Sequence, residues 1–250
     1  MADELAIAPS RDWLKAGFPP PSFVRWRRLE NVGAGGCHKL FSHSSSFAKT
    51  LEKKVLYYGR GLFANGQLVQ GFLANRWMLN AFAVCLGRPE TIVESFSSTG
   101  QESVGRYCAK FYENSGWRSV FVDSRIPCTH DCQALFTRSS DALEYWPLVL
   151  EKAAAKYFGS YAHIGSCGSR PDASLFALRL LTGGHVIRHN VQDFAWKSSN
   201  LDVLHGQRDG SAFISEAFEA GALVAFGRSQ AKVRTAPTTR SARALNSLAR

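Results

Sequence analysis

Residues 70–86 read Gln-Gly-Phe-Leu-Ala-Asn-Arg-Trp-Met-Leu-Asn-Ala-Phe-Ala-Val-Cys-Leu, and the fold turns on them. From Trp77 to Leu86 the residues are apolar nearly all round and free of Gly and Pro, the pattern of a helix buried in the middle of a domain. Gly87 and Pro89 predict its end. Before it, Gly59, Gly61, Gly66 and Gly71 punctuate a loop region that delivers the chain to the helix start, where Arg76 stands. A second short helix is expected over residues 90–96.

Further along the chain the period changes. Residues 104–112 alternate, Asn114-Ser115-Gly116 supply turn chemistry, and Trp117 to Asp123 alternate again, which predicts a β-hairpin whose second strand closes at Ile126-Pro127. From Asp141 to Tyr157 the apolar residues Leu143, Trp146, Leu150, Ala153, Ala154 and Tyr157 have helical spacing, with Asp141 as cap and Gly159 as stop. Another helix is expected from Pro171 to Leu181, ended by Gly183-Gly184. Residues 185–212 give no clear pattern; a helix is expected over 213–220 and the start of a strand over 222–226. Towards the N-terminus, Pro19 to Pro21 hold residues 1–23 in an extended arm, and Val24 to Glu30 form a short amphipathic piece. A Gly/Ser-rich connection runs from Gly33 to Ser46, and Lys49 to Tyr58 fits a helix or a strand.

The chain has 250 residues, 45% hydrophobic with six tryptophans, enough to bury a sizeable core in one larger domain or two small lobes. No run of 18 apolar residues exists, and Asp3 and Glu4 stand where a signal peptide needs basic and then apolar residues. An intracellular, cytoplasmic protein is expected, with its six cysteines reduced. The net charge of +10 raises nucleic acid as a partner. Its distribution narrows that idea to one segment. Arg228, Lys232, Arg234, Arg240, Arg243 and Arg250 are accompanied by no acidic residue, whereas residues 1–227 carry 24 basic against 20 acidic side chains. The basicity belongs largely to a tail that is expected to be disordered.

Five ordered stretches resemble the calpain family of cysteine proteases. Trp26-Arg27-Arg28-Leu29-Glu30 with Leu40-Phe41 resembles its tryptophan-centred lead-in, and Gln70 to Leu79 resembles its nucleophile motif, Gln-Gly-x-Leu-Gly-Asp-Cys-Trp-x-x. Trp117 to Pro127 resembles its strand Trp-x-x-Val-x-Val-Asp-Asp-x-Leu-Pro. Glu144 to Lys156, followed by Gly159-Ser160-Tyr161, resembles Glu-Phe-Trp-x-x-Leu-Leu-Glu-Lys-Ala-Tyr-Ala-Lys, and Leu181-Thr182-Gly183-Gly184 completes the series. Beyond Gly184 the likeness thins to Ala220 to Val224, similar to the segment opening the family's second lobe. The resemblance implies an α+β, papain-like calpain protease core with a complete helical first lobe and an incomplete antiparallel β second lobe. The implied organisation is an extended arm over 1–23, the first lobe over 24–184, a partial second lobe over 185–230 and a basic, disordered tail over 231–250.

The chemistry implied is that of a protease missing parts. A papain-like protease needs a thiolate at the N-terminus of its central helix, favoured by the dipole and by a histidine from the other lobe. The position matching that cysteine is Arg76, whose guanidinium can neither attack a carbonyl nor lose its proton at useful pH. The glutamine that donates to the oxyanion is kept as Gln70, while Ala74 and Asn75 replace the usual Gly and Asp. Cys85 lies nine residues on, about 14 Å down the helix, and reads as a core residue. The family's Gly-His-Ala-x-Ser strand and Asn-Pro-Trp-Gly loop are not found; His185, His189 and His205 precede the expected place and read as surface or loop residues. The resemblance makes calcium possible, but the expected Asp nine residues before the nucleophile is Gln67. Glu151 is the acidic residue that persists, and one carboxylate does not make a site. Cys128-Thr129-His130-Asp131-Cys132 is spaced too tightly for a zinc loop and no second ligand pair follows, so no metal or cofactor is expected.

These readings predict a catalytically inactive, calpain-like cysteine peptidase homologue that works as a regulatory or protein-interaction module. The alternatives are an active calcium-dependent cysteine endopeptidase, or a nucleic-acid or acidic-membrane binder acting through its basic tail. A truncated or frameshifted gene would account for the change of character after Phe226.

Overall fold

The central helix forms as α1, Arg76–Cys85, in a computed structural model that describes residues 24–33, 68–139, 144–168, 170, 172–189, 194–195 and 208–224. It is not apolar all round. Trp77, Met78, Leu79, Ala81, Phe82 and Cys85 are buried, while Arg76, Asn80 and Ala83, at helical spacing, make one stripe that meets solvent. The next helix, α2 (Pro89–Glu94), starts on proline, whose fixed φ suits a first turn. It stops short of the expected Phe96 because Phe96 and Ser97 leave as strand β3, pairing with Ala109 and Cys108.

The hairpin forms as expected. Strands β4 (Arg106–Glu113) and β5 (Gly116–Asp123) pair antiparallel from Arg106↔Asp123 to Glu113↔Gly116. Asn114 and Ser115 join them with φ of 48° and 65°, both in the left-handed region of the two-residue turn that matches strand twist. Alternation puts Tyr107, Ala109, Phe111, Val120 and Val122 into the core.

Ile126-Pro127 does not close β5, contrary to the expectation. Those residues belong to a separate strand, β6 (Arg125–Cys128), which pairs antiparallel with β1 (Arg25–Arg28) in the register Arg25↔Cys128 to Arg28↔Arg125. The amphipathic piece at 24–30 is therefore strand β1 running into a single 3₁₀ turn, Leu29–Asn31.

Two further corrections concern the helices after the sheet. The helix expected from Asp141 begins at Trp146, with a proline in its first turn, and runs to Phe158 as α3; Asp141 itself lies outside the described residues. Gly159, at φ 95°, ends it as expected. A helix the periodicity did not reveal, α4 (Tyr161–Cys167), follows at once, capped by Ser160, whose hydroxyl accepts from the His163 N–H at 3.1 Å. Helix α5 (Ala173–Thr182) ends at Gly183, φ 65°.

These elements share one core. Helix α1 packs against α5, and α3 lies under the β4–β5 hairpin. Phe82 of α1 meets Trp146 of α3 edge to face at 5.9 Å, and the Trp77 indole N–H donates to the Ile164 carbonyl of α4 at 2.9 Å. Lys152 of α3 is 1% exposed and forms an ion pair with Asp123; it also donates to the backbone carbonyls of Asp123 (3.2 Å) and Arg125 (2.7 Å) and sits 5.4 Å from the Trp26 ring centroid. One ammonium thus ties β1, β5 and β6 to α3.

Where the second lobe was expected, the described residues hold a two-residue parallel pair, β8 (Phe194–Ala195) with β9 (Arg208–Asp209), and helix α6 (Gly210–Glu219) capped by Asp209. Phe194, Phe213 and His189 form a small aromatic cluster there. Residues 222–224 make no strand, against expectation. The 1–23 arm, the 49–58 segment and the basic tail lie outside the described residues. No helix among the described residues is long and apolar enough to cross a membrane.

Candidate active site

The turn that leads into α1 is shaped by what it crosses. Strand β2 (Leu68–Val69) pairs antiparallel with β7 (Arg138–Ser139), which lays the chain beside residues 134–139. Gly71 then passes so close to that segment that a Cβ would lie 2.3 Å from the Leu135 carbonyl oxygen and 2.4 Å from that of Phe136. Backbone oxygens cannot move aside as a side chain can, so the position admits only glycine. The Phe72 N–H donates to Leu135 at 3.0 Å, and Leu73 drops into the core, 1% exposed.

Gln70, half-buried, folds over this turn. Its Nε2 donates to the Leu73 carbonyl at 2.8 Å, and its Oε1 accepts from Arg76 Nε at 3.4 Å. The structure thus brings together the two residues singled out by sequence. Arg76 is exposed at the first residue of α1, and its guanidinium contacts the amide that a papain-like site reserves for the oxyanion.

Asn75, just before α1, does not cap the helix with its side chain. Instead Nδ2 points inward, donating to Glu151 Oε1 at 2.5 Å and to Thr137 Oγ1 at 3.1 Å. Thr137 donates its N–H to Glu151 at 3.0 Å and its hydroxyl to the same carboxylate. Asn75 and Thr137 are 0% exposed and Glu151 1%. Burial pushes the Glu151 carboxyl up to about 7, against the pull of the hydrogen bonds from Thr137 and Asn75. The Asn75 Oδ1 is buried with no hydrogen-bond partner. Asparagine, where the resembling motif has aspartate, meets the buried Glu151 carboxylate as an amide donor.

Other candidate groups are remote from such chemistry. Cys85 is buried, and desolvation pushes its thiol up to about 12, far from thiolate at neutral pH. Cys128 is 0% exposed with its thiol on the Ile126 carbonyl (3.5 Å), and the Cys132 thiol lies on the His130 carbonyl at 3.9 Å. No group of three or more His, Cys, Asp or Glu able to hold a metal occurs among the described residues. Glu151 does not fit calcium either: three donors already face its oxygens, and a hard cation needs acceptors. Gln67 lies outside the described residues. His185 and His189 are exposed, as expected, and His205 lies outside the described residues.

Sequence reasoning missed Thr137, and it treated Glu151 as a remnant cation ligand. No local signal marks either role, since both arise from chain segments that meet only in the folded state.

A family profile described as calpain family cysteine protease matches residues 46–239. A calpain from Schistosoma mansoni is 34% identical over 151 residues, 57% of this chain and 19% of its own length. Calpain clp-1 of Caenorhabditis elegans is 27% identical over 207 residues, 82% of this chain and 22% of its own, and human Calpain-9 is 30% identical over 120 residues, covering 47% and 16%. The chain spans about a fifth of the length of the first two relatives. With the profile covering most of the sequence, and the Gln-Gly turn, buried helix and hairpin in the expected order, the chain belongs to the calpain family of cysteine proteases.

Proposed function

We propose that this calpain-family domain does not cleave peptide bonds and serves as an intracellular regulatory or protein-interaction module. The observation that carries the reading is Arg76 at the head of α1 with its Nε on Gln70. A guanidinium has no nucleophilic lone pair at any useful pH. The Gln70 amide is engaged at both ends, by Arg76 and by the Leu73 carbonyl. No thiol among the described cysteines replaces the missing one: Cys85 is buried with its proton held tightly, and burial raises Cys167 as well. What remains is a scaffold with a buried hydrophobic core, the kind that presents surfaces. Among the described residues Cys85, Cys108, Cys132 and Cys167 form no disulfide, which suits a reducing compartment.

The test is incubation of the pure full chain with casein, with and without calcium, and with the thiol-directed inhibitor E-64. No cleavage is expected under any condition. Casein fragments whose formation E-64 abolishes would establish an active protease and end this reading.

A second reading rests on the charge run from Arg228 to Arg250, which favours anionic nucleic acid or acidic membrane as a partner. Salt-dependent retention on heparin that vanishes when residues 228–250 are deleted is its expected outcome; unchanged retention refutes it.

A further inference from the structure

The β1–β6 pair has one closed side and one open side. Pro127 has no N–H, and its carbonyl accepts from Leu135 at 3.0 Å on the side of β6 away from β1. The opposed residues Trp26 and Pro127 therefore cannot exchange hydrogen bonds. In an antiparallel ladder this alternation turns the N–H and C=O of Trp26 outward, and Arg25 and Arg27 inward to β6. Among the described residues no strand pairs with the outer side of β1.

The side chains around that edge are charged alike. Arg25, Arg27 and Arg28 are all exposed, and among the described residues none of them forms an ion pair. Among the described residues Arg25 donates to its neighbour's carbonyl, Val24, at 3.2 Å. Trp26 between them is half-buried, with the Lys152 ammonium of α3 5.4 Å from its ring centroid. Charge on an exposed edge guards against self-association, since a second β1 docked antiparallel about Trp26 would set arginine against arginine. The same charges select an acidic chain.

We propose that the outer edge of β1 docks an extended acidic segment of a protein partner. The segment adds as an antiparallel strand, with acidic residues opposite Arg25 and Arg27 and an apolar residue opposite Trp26. Pairing at Trp26 through both backbone bonds makes the flanking positions non-hydrogen-bonded pairs, where opposed side chains come closest and opposite charges gain most. Backbone bonds give the affinity and the alternating pattern gives the selectivity. The proposal names the partner class for the interaction module above and rests on that reading; peptide binding and casein cleavage are separate measurements, so either can fail alone.

The test uses the full chain and two fluorescein-labelled peptides of equal length, one alternating Glu with Val and one alternating Lys with Val, followed by fluorescence anisotropy. The Glu-Val peptide is expected to bind, more weakly as salt rises. In an Arg25→Glu/Arg27→Glu variant its affinity should drop roughly tenfold or more, and the Lys-Val peptide should now bind instead. Arg25→Gln/Arg27→Gln, a milder change, should fall between the two. Hydrogen exchange should show the Trp26 amide protected by the Glu-Val peptide. Absence of binding, binding unchanged by the charge reversal, or binding that leaves the Trp26 amide exchanging freely would each overturn the proposal; the second result would move the interaction to the basic tail.

Discussion

Glu151 makes stability fall as pH rises through the neutral range. Its carboxyl is pushed from an ordinary 4.5 up to about 7 in the folded chain, so the folded state holds this proton more tightly than the unfolded state does. Below pH 4.5 both states are protonated and nothing is lost. Between 4.5 and 7 the unfolded chain releases the proton first, and each unit of pH favours unfolding by about 1.4 kcal/mol. Across the window, whose bounds are those of the shift itself, the loss sums to about 3 kcal/mol, and above pH 7 it levels off. Glu151→Gln should abolish the slope. The glutamine oxygen can keep the donors from Thr137, and its Nε2 needs an acceptor, which Asn75 supplies by turning its amide so that the unpartnered Oδ1 faces position 151. The variant should therefore be the less pH-sensitive protein and, at pH 8, the more stable one. The assay is urea unfolding followed by tryptophan fluorescence at intervals from pH 5 to 8, on both proteins, with the difference taken at each pH. The Asp123 carboxyl is held low by Lys152 and Arg125 despite burial, so its contribution is lost only in more acidic solution and drops out of the comparison. Parallel profiles for the two proteins, or wild-type stability that climbs between pH 5 and 7, would refute the reasoning.

Gly71→Ala forces a Cβ into two backbone oxygens and should cost about 3 kcal/mol or more, read as a drop in Tm or loss of soluble protein; a change under about 0.5 kcal/mol would show that the turn can move. Lys152→Met keeps the volume but strips Asp123 of its buried partner, leaving it Arg125 at 3.0 Å; the expected loss is about 2 kcal/mol in urea unfolding, less than for a fully buried pair because Asp123 is a third exposed. Arg76→Cys places a thiol at an exposed helix start, where the dipole favours thiolate. Iodoacetamide followed by peptide mapping should show position 76 alkylated roughly tenfold faster than Cys167, and equal rates would mean that the head of α1 does not activate sulfur.

The parts of the fold that were legible in the sequence are those governed by local periodicity. The apolar run from Trp77 to Cys85 predicted a helix in the core, and Asn114-Ser115 predicted a turn between alternating strands. Strand β6 was not legible because what makes Arg125–Cys128 a strand is β1, a hundred residues earlier in sequence. Helix α4 was hidden for a related reason. Its seven residues include Gly165 and Ser166, poor helix formers, and it is held by the Trp77 bond to Ile164 and by Tyr161, whose ring lies tilted against Phe136 at 4.5 Å. The site divides the same way. Gln70 and Arg76 were found by their position in a motif, six residues apart. Asn75, Thr137 and Glu151 meet across separations of 62 and 76 residues, which no spacing rule detects.

The burial of Cys85 gives the protein a built-in clock. A thiol 0% exposed at the far end of α1, holding its proton up to about 12, stays silent towards alkylating reagents for as long as the domain is closed. Each chain that takes up a label there has opened through its middle, so the rate of modification at this single sulfur counts excursions to the unfolded state under native conditions, without denaturant and without an enzymatic readout.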